Sequence, residues 1–182
     1  MNNEPDYQSL VLDMSTVMEA AVEVVNAITS AFNGVSREGG VSLHETRVLD
    51  GLGSESEMIE ARAKDIDAKW QDVPDSAIEK PLLSLNFLDP IGFRYYIPAY
   101  MIWEIRIISG EKWVDCNTHG AAAFALTPRG REPAIEAANF VALTKEQSHA
   151  IYLFLRFCAD FDDEFARKRA QAAIDKYWIR FA

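Results

Sequence analysis

One short motif carries residue types that could perform chemistry. Cys116 and His119 have the C-x-x-H spacing of half a zinc site. The same pair could also act as a thiol nucleophile and its base. No second Cys/His pair accompanies them, and His44 and His149 lie far away along the chain. We therefore expect no metal ion and no cofactor, and whether Cys116 and His119 form a site stays open.

Glu104 is the second candidate, because it lies within a nearly continuous apolar segment. An unpaired buried carboxylate is costly or takes up a proton, so Glu104 needs a partner unless it is partly exposed. Arg94 is the nearest suitable cation. The pair could be a structural ion pair, or Arg94, Tyr95, Tyr96 and Glu104 could together bind a small polar ligand. Both alternatives remain open.

Carboxylates are concentrated between residues 55 and 79. A metal or acid–base site at Asp65 and Asp67 would need a nearby histidine or a calcium-binding loop, and the sequence shows neither. A solvated helical face that binds a partner is the favoured interpretation. Its predicted members are Glu55, Glu57, Glu60, Asp65, Asp67, Asp72 and Asp75.

The negative charge lies in the first part of the chain. The net charge is −10; residues 1–79 hold 16 acidic and 5 basic side chains, against 12 and 13 in residues 80–182. Such a surface repels nucleic acid and anionic lipid, so we expect neither as a partner. It would attract a basic protein, although solubility alone could also explain it.

The elements that must position these residues are helices. Residues 82–108 are the densest apolar segment, and Pro98–Ser109 is predicted to be a central buried helix. Gly92 and the bend before Pro98 predict a break upstream, with only a single turn at Asp89-Pro90. A long amphipathic helix is expected from Pro5 to Phe32, whose wide apolar face could form a homodimer seam.

Shorter helices are indicated by capping residues. Ser42 and Ser54 begin two of them, the second running to about Trp70, and Thr144 begins a third. Asp162 is expected to cap the last helix, Asp163–Ile179, with Phe165 directed inwards. Residues 120–143 could instead pair as a small β-hairpin. The predicted fold class is therefore mainly α, α+β at most, in a single globular domain over residues 1–182.

Two cysteines, an opening segment unlike a signal peptide and the lack of a membrane span predict a cytoplasmic protein.

Several separated segments carry a family resemblance. They are GFRYYIPAY (Gly92–Tyr100) preceded by FLD, GVSLHETRVLD (Gly40–Asp50), Asp65–Trp70, and LTKEQSHAIYLFLRF (Leu143–Phe157) followed by Tyr177-Trp178. Together they resemble an uncharacterised bacterial group, domain-of-unknown-function family 6714. The resemblance implies a shared fold and no particular activity.

Three functions follow from the sequence. The preferred one is a protein-binding module, for example an immunity-type inhibitor of a basic toxin. The lack of phosphate-binding loops, nucleophile elbows and metalloprotease motifs favours this over an enzyme. The alternatives are an enzyme or ligand sensor around Arg94, Tyr95, Tyr96 and Glu104, and a structural homodimer.

Overall fold

Helices form most of the described chain, which in this computed structural model comprises residues 7–80, 84–114, 119–128, 130 and 133–182. They are α1 (Tyr7–Ala31), α2 (Leu43–Asp50), α3 (Glu55–Arg62), α4 (Asp75–Ile78), α5 (Pro90–Ile108), α6 (Ala121–Ala125), α7 (Pro133–Val141), α8 (Lys145–Phe161) and α9 (Glu164–Lys176). Short 3₁₀ turns lie at Trp70–Asp72, Ser84–Phe87 and Trp178–Phe181. These ranges contain no strand, which confirms the mainly α class. None of their helices combines the length and apolarity needed to cross a bilayer.

Helix α5 is the central element of the fold. It contacts α1, α4, α6, α7 and α8. Trp103 and Ile105 on it are each 1% exposed. The predicted buried central helix is therefore confirmed, but its predicted start is wrong: α5 begins at Pro90 and continues through Pro98.

The beginning of α5 explains why Gly92 does not break it. Asp89 is the N-cap, and its Oδ1 accepts hydrogen bonds from the amides of Gly92 and Val41, both at 2.9 Å. A β-carbon at residue 92 would overlap the carbonyl oxygen of Val41. The glycine thus permits close approach of the loop before α2. Packing of α5 on several sides outweighs the backbone hydrogen bond that Pro98 removes.

The predicted β-hairpin in residues 120–143 is wrong, because this region contains α6 and α7. Alanine has the highest helix propensity, and Pro133 occupies the first turn of α7, where proline is tolerated. Ala121, Ala122 and Ala123 are at most 1% exposed. Their small side chains let α6 approach α5 closely.

Helix α1 buries only part of its wide apolar face. Val17, Ala21, Val24 and Ile28 belong to the core. In contrast, three apolar side chains spaced four residues apart face solvent: Met14 is 46% exposed, Met18 58% and Val22 61%. The N-terminal helix is confirmed, and part of its wide apolar face is uncovered.

Helix caps match the sequence patterns closely. Ser54 and Thr144 form capping boxes, and at Ser42 the amide donates to Glu45 Oε2 at 2.7 Å. Two boundaries differ, since α3 ends at Arg62 and the N-cap of α9 is Asp163. Phe165 was predicted to be buried but is 71% exposed, because the core face of α9 is formed by alanines and Ile174.

Candidate functional site

Tyr95 and Tyr96, two of the predicted ligand-binding residues, are fully buried beside each other. The Tyr95 hydroxyl donates to Asp67 Oδ2 at 2.8 Å. Arg37 Nη1 donates to the Tyr96 hydroxyl oxygen at 2.5 Å, with its guanidinium 5.8 and 6.0 Å from the two ring centroids. Burial raises the pKa of both phenols, and the Asp67 carboxylate adds to the effect. Both hydroxyls therefore stay protonated.

The same network extends to Asp65 and α2. Arg37 Nη2 donates to the Asp65 carbonyl oxygen at 2.8 Å. His44 approaches the Asp65 carboxylate twice, with Nδ1 at 2.7 Å from Oδ1 and the amide donating to Oδ2 at 2.9 Å. These polar groups satisfy one another and join the loop before α2, α2 itself, the loop after α3 and α5. The arrangement is typical of a structural network.

Arg94 and Glu104 have separate partners, so their predicted pairing is wrong. Arg94 Nε donates to Gln147 Oε1 at 3.1 Å. Glu104 Oε1 accepts from the Ala122 amide at 2.6 Å. Because α5 is continuous, ten residues separate the two side chains by roughly 15 Å along its axis. The four predicted ligand-binding residues therefore do not converge on one pocket, and ligand binding by any of them stays a prediction.

Glu104 instead belongs to a buried cluster between α5, α6 and the end of α8. His119 Nε2 lies 2.8 Å from Asp162 Oδ1. Three buried atoms have no hydrogen-bond partner among the described residues: Glu104 Oε2, His119 Nδ1 and Asp162 Oδ2. Buried polar atoms of this kind are uncommon and call for an explanation.

The environment changes the ionisation of Glu104 and His119 in this cluster and of Cys158 beside it. Desolvation raises the pKa of Glu104 to about 8, against the opposing effects of the Ala122 amide and His119. The hydrogen bond to Asp162 raises the pKa of His119. Burial, together with Glu104 and Asp162, raises the pKa of the Cys158 thiol, which is therefore a poor nucleophile.

A metal ion could bind at one edge of this cluster. His119, Asp162 and Asp163 each offer a ligand atom, and these atoms lie within 4.8 Å of one another. Cys116, the other member of the C-x-x-H motif, lies outside the described residues.

The predicted acidic surface is only partly free to bind a partner. Asp65 and Asp67 belong to the buried network, and Asp75 pairs with Arg106 and Lys112 at 3.2 and 2.8 Å. Four of the predicted residues are exposed: Glu55, Glu57, Glu60 and Asp72. Three of these are on α3.

Apolar side chains lie around α3 in the sequence and face solvent. Leu52 is 93% exposed, Ile59 67% and Ile66 89%. Leu52 also adopts a left-handed backbone conformation, with φ of 53°. We call Leu52, Ile59 and Ile66, together with Glu55, Glu57 and Glu60, the α3 surface.

Comparison with protein families gives one result. The sequence model of a family of unknown function, DUF6714, matches residues 20–182. The chain belongs to this family. No curated protein and no solved structure matches the chain.

Two of the segments that suggested DUF6714, Gly40–Asp50 and Gly92–Tyr100, meet where α5 begins. Asp89 caps α5, Gly92 admits the loop, and Tyr95 and Tyr96 anchor the polar network. The sequence does not reveal the pairing of His119 with Asp162, because 43 residues separate them. Asp162 was recognised only as a capping residue.

Proposed function

We propose that this DUF6714 protein binds a basic protein partner through the α3 surface. The observation that carries the proposal is Leu52, an apolar side chain held almost fully in water in a backbone conformation that favours glycine. Such a residue costs stability in the isolated protein. A contact made only in a complex would account for it.

Charge defines the partner class. Glu55, Glu57 and Glu60 on α3 are exposed. Between residues 47 and 66, four exposed acidic side chains accompany two exposed basic ones, Arg47 and Lys64. A partner with apolar anchors surrounded by lysine or arginine complements this surface and would associate faster at low salt. Immunity-type inhibition of a basic toxin is the concrete form of the proposal.

Two matched variants test the surface. One replaces Glu55, Glu57 and Glu60 by glutamine, which keeps the capping box at Ser54 because glutamine also serves in this role. The control replaces three exposed glutamates elsewhere, Glu23, Glu146 and Glu164. A third variant, Leu52→Asp, removes the apolar anchor.

The measurement is quantitative co-purification from the native host at about 50 and about 500 mM salt, two conditions that differ strongly in electrostatic screening. We expect the wild type and the control to retain one basic protein at low salt, directly and in equimolar amount. The variant with glutamine at positions 55, 57 and 60 and the Leu52→Asp variant should each retain at least tenfold less of this basic protein. Equal recovery by all four proteins, or a partner without excess positive charge, would contradict the proposal.

A second candidate function, homodimerisation, is supported by the exposed stripe of Met14, Met18 and Val22 on α1. Its four-residue spacing is suited to helix-to-helix packing. Light scattering should then give twice the monomer mass for the wild type and the monomer mass for Met18→Glu. If the wild type were monomeric at high concentration, homodimerisation would be excluded, but binding of a basic partner through the α3 surface would not be affected.

A further inference from the structure

Three residues at the ends of helices form a cluster away from the α3 surface. His119 lies just before α6, Asp162 follows α8, and Asp163 is the N-cap of α9. Asp163 Oδ1 accepts the amides of Phe165 and Ala166 at 2.9 and 3.0 Å. Each of the three residues therefore lies within two positions of a helix end, which restrains where its side chain can lie.

The cluster contains buried polar atoms that no described residue satisfies. The Asp162 side chain is 5% exposed; its Oδ1 accepts from the Asp163 amide at 2.8 Å and lies near His119, while Oδ2 has no described partner. His119 faces the Asp162 carboxylate with Nε2, at 2.8 Å from Oδ1, so Nε2 is its potential ligand atom; Nδ1, on the other side of the ring, also has no described partner. An acceptor-only carboxylate oxygen and an imidazole nitrogen are both atoms that coordinate metal ions.

The local charge favours a cation. Two carboxyl groups, those of Asp162 and Asp163, have an oxygen within 4.8 Å of a ring nitrogen of His119. Arg169 is the nearby guanidinium on α9, but it lies over the rings of Phe124 and Phe165, at 5.1 and 4.7 Å from their centroids. Lys168, next to it, pairs with Glu164 at 2.6 Å.

We infer that His119, Asp162 and Asp163 bind one Zn²⁺ ion. A nitrogen ligand beside two carboxylates suits zinc better than calcium or magnesium, which take oxygen ligands. Ligand atoms about 2.0–2.2 Å from zinc in a tetrahedron lie roughly 3.4 Å apart. On binding, His119 Nε2 and Asp162 Oδ1, now 2.8 Å apart, would therefore separate slightly, and any wider spacing, at most 4.8 Å here, would close through side-chain rotation. Three protein ligands leave the fourth position to water or to a substrate.

Glu104 gives this inference a chemical consequence. Its side chain is fully buried, and its Oε2 is free of described partners. A buried carboxyl group in the same cluster as a zinc ion would be chemically suited to exchange a proton with a water molecule bound to that ion. The site would therefore differ from a closed structural zinc site, and it runs against the metal-free expectation from the sequence.

The test uses full-length protein without an affinity tag, stripped with a chelator and titrated with ZnCl₂ by calorimetry. We expect one equivalent of Zn²⁺ to bind to the wild type. His119→Ala should weaken the affinity at least 100-fold. Asp163→Asn should weaken it at least tenfold while preserving the cap of α9, since asparagine is an equally good N-cap.

His44→Ala is the matched control. His44 also contacts a buried aspartate, Asp65, at 2.7 Å, but it belongs to no three-ligand group among the described residues. The Zn²⁺ affinity of His44→Ala should stay within twofold of that of the wild type. Circular dichroism checks that each variant is folded. If His119→Ala does not fold, the Zn²⁺ affinity of Asp163→Asn decides the test. Absence of stoichiometric Zn²⁺ binding, or an equal loss in His44→Ala, would overturn the inference.

Discussion

Glu104 carries a carboxyl group with no access to water, and its ionisation is linked to folding. Its pKa is about 8 in the folded protein, against an ordinary value of 4.5. Between these values the folded protein keeps a proton that the unfolded chain releases. The stability associated with protonated Glu104 is thus fully present below pH 4.5 and is lost as the pH rises towards 8. The expected slope is up to about 1 kcal/mol per pH unit.

Glu104→Gln should remove this dependence. The amide oxygen can still accept from Ala122, and the side chain cannot ionise. We expect similar unfolding free energies for the two proteins at pH 5 and a variant more stable by about 2–4 kcal/mol at pH 8. Urea titrations with a chelator present, from pH 5 to 8, provide the measurement. As a control, Glu23→Gln, at an exposed position on α1, should show the same dependence of unfolding free energy on pH as the wild type. If Glu104→Gln also showed the wild-type pH dependence, the prediction would be refuted.

Leu52 allows stability and binding to be separated at one position. Its φ of 53° strains a leucine but not a glycine. Leu52→Gly should therefore raise the unfolding free energy by about 1 kcal/mol, while weakening retention of the basic partner. Ile66→Gly is the control, because Ile66 is similarly exposed but its backbone is not in the left-handed region. Glycine at this position should therefore lower the unfolding free energy of the protein. A less stable Leu52→Gly protein would contradict this account.

Local rules predicted individual residues of the candidate sites but not their partners. Burial of Glu104 follows from its apolar neighbours, and the capping roles of Ser54 and Thr144 follow from three-residue spacing. The Glu104–Ala122 and His119–Asp162 contacts join distant segments, and no local pattern encodes them. Arg94 was chosen as the partner of Glu104 only because an assumed bend brought the two together.

At the scale of elements, Gly92 shows how a tertiary contact overrides helix propensity. In an isolated helix, replacing glycine by alanine stabilises by about 1 kcal/mol. Here a β-carbon would meet the Val41 carbonyl and the Asp89 carboxylate that caps α5. Gly92→Ala should instead lower the unfolding free energy by about 3 kcal/mol, as overpacking does.

The matched control is Gly39→Ala, since no atom lies within 4 Å of a β-carbon at residue 39. Its stability should stay within about 1 kcal/mol of the wild type. Chemical denaturation of the three proteins compares them directly. If Gly92→Ala were as stable as Gly39→Ala, the close approach of the loop to α5 would be disproved.

The contrast between local sequence signals and tertiary contacts explains which elements could be predicted. Helices with a strong period or a capping box, such as α1 and α8, were found from local signals. The start of α5 was missed because Gly92 and Pro98 are helix breakers in isolation, and their tolerance depends on neighbours that the sequence does not reveal. The helices α6 and α7 are short, and the sequence of residues 120–143 is also compatible with two paired strands, which explains the wrong hairpin prediction.

At the scale of the whole molecule, charge is distributed unevenly along the sequence, whereas both parts of the chain contribute to one hydrophobic core. The buried residues from Val17 to Trp178 form one hydrophobic cluster. Residues 1–79 carry the whole negative excess of the sequence. Some of these carboxylates have partners within the protein, as Asp65 has in a hydrogen bond to His44 and Asp75 in an ion pair with Lys112. Those that remain repel one another and favour expansion of the chain.

Added salt should consequently stabilise the protein at neutral pH. Raising NaCl from about 10 to about 150 mM shortens the Debye length from about 30 to about 8 Å, which screens repulsion between separated carboxylates. Exposed ion pairs such as Lys168–Glu164 oppose this only weakly. We expect the midpoint of thermal unfolding at pH 7 to rise by about 2–4 °C, equivalent to about 1 kcal/mol for a domain of this size. At pH 5, close to the isoelectric point of about 4.8, the rise should nearly vanish. A midpoint that falls with salt, or rises equally at both pH values, would show that repulsion among the acidic side chains does not limit stability.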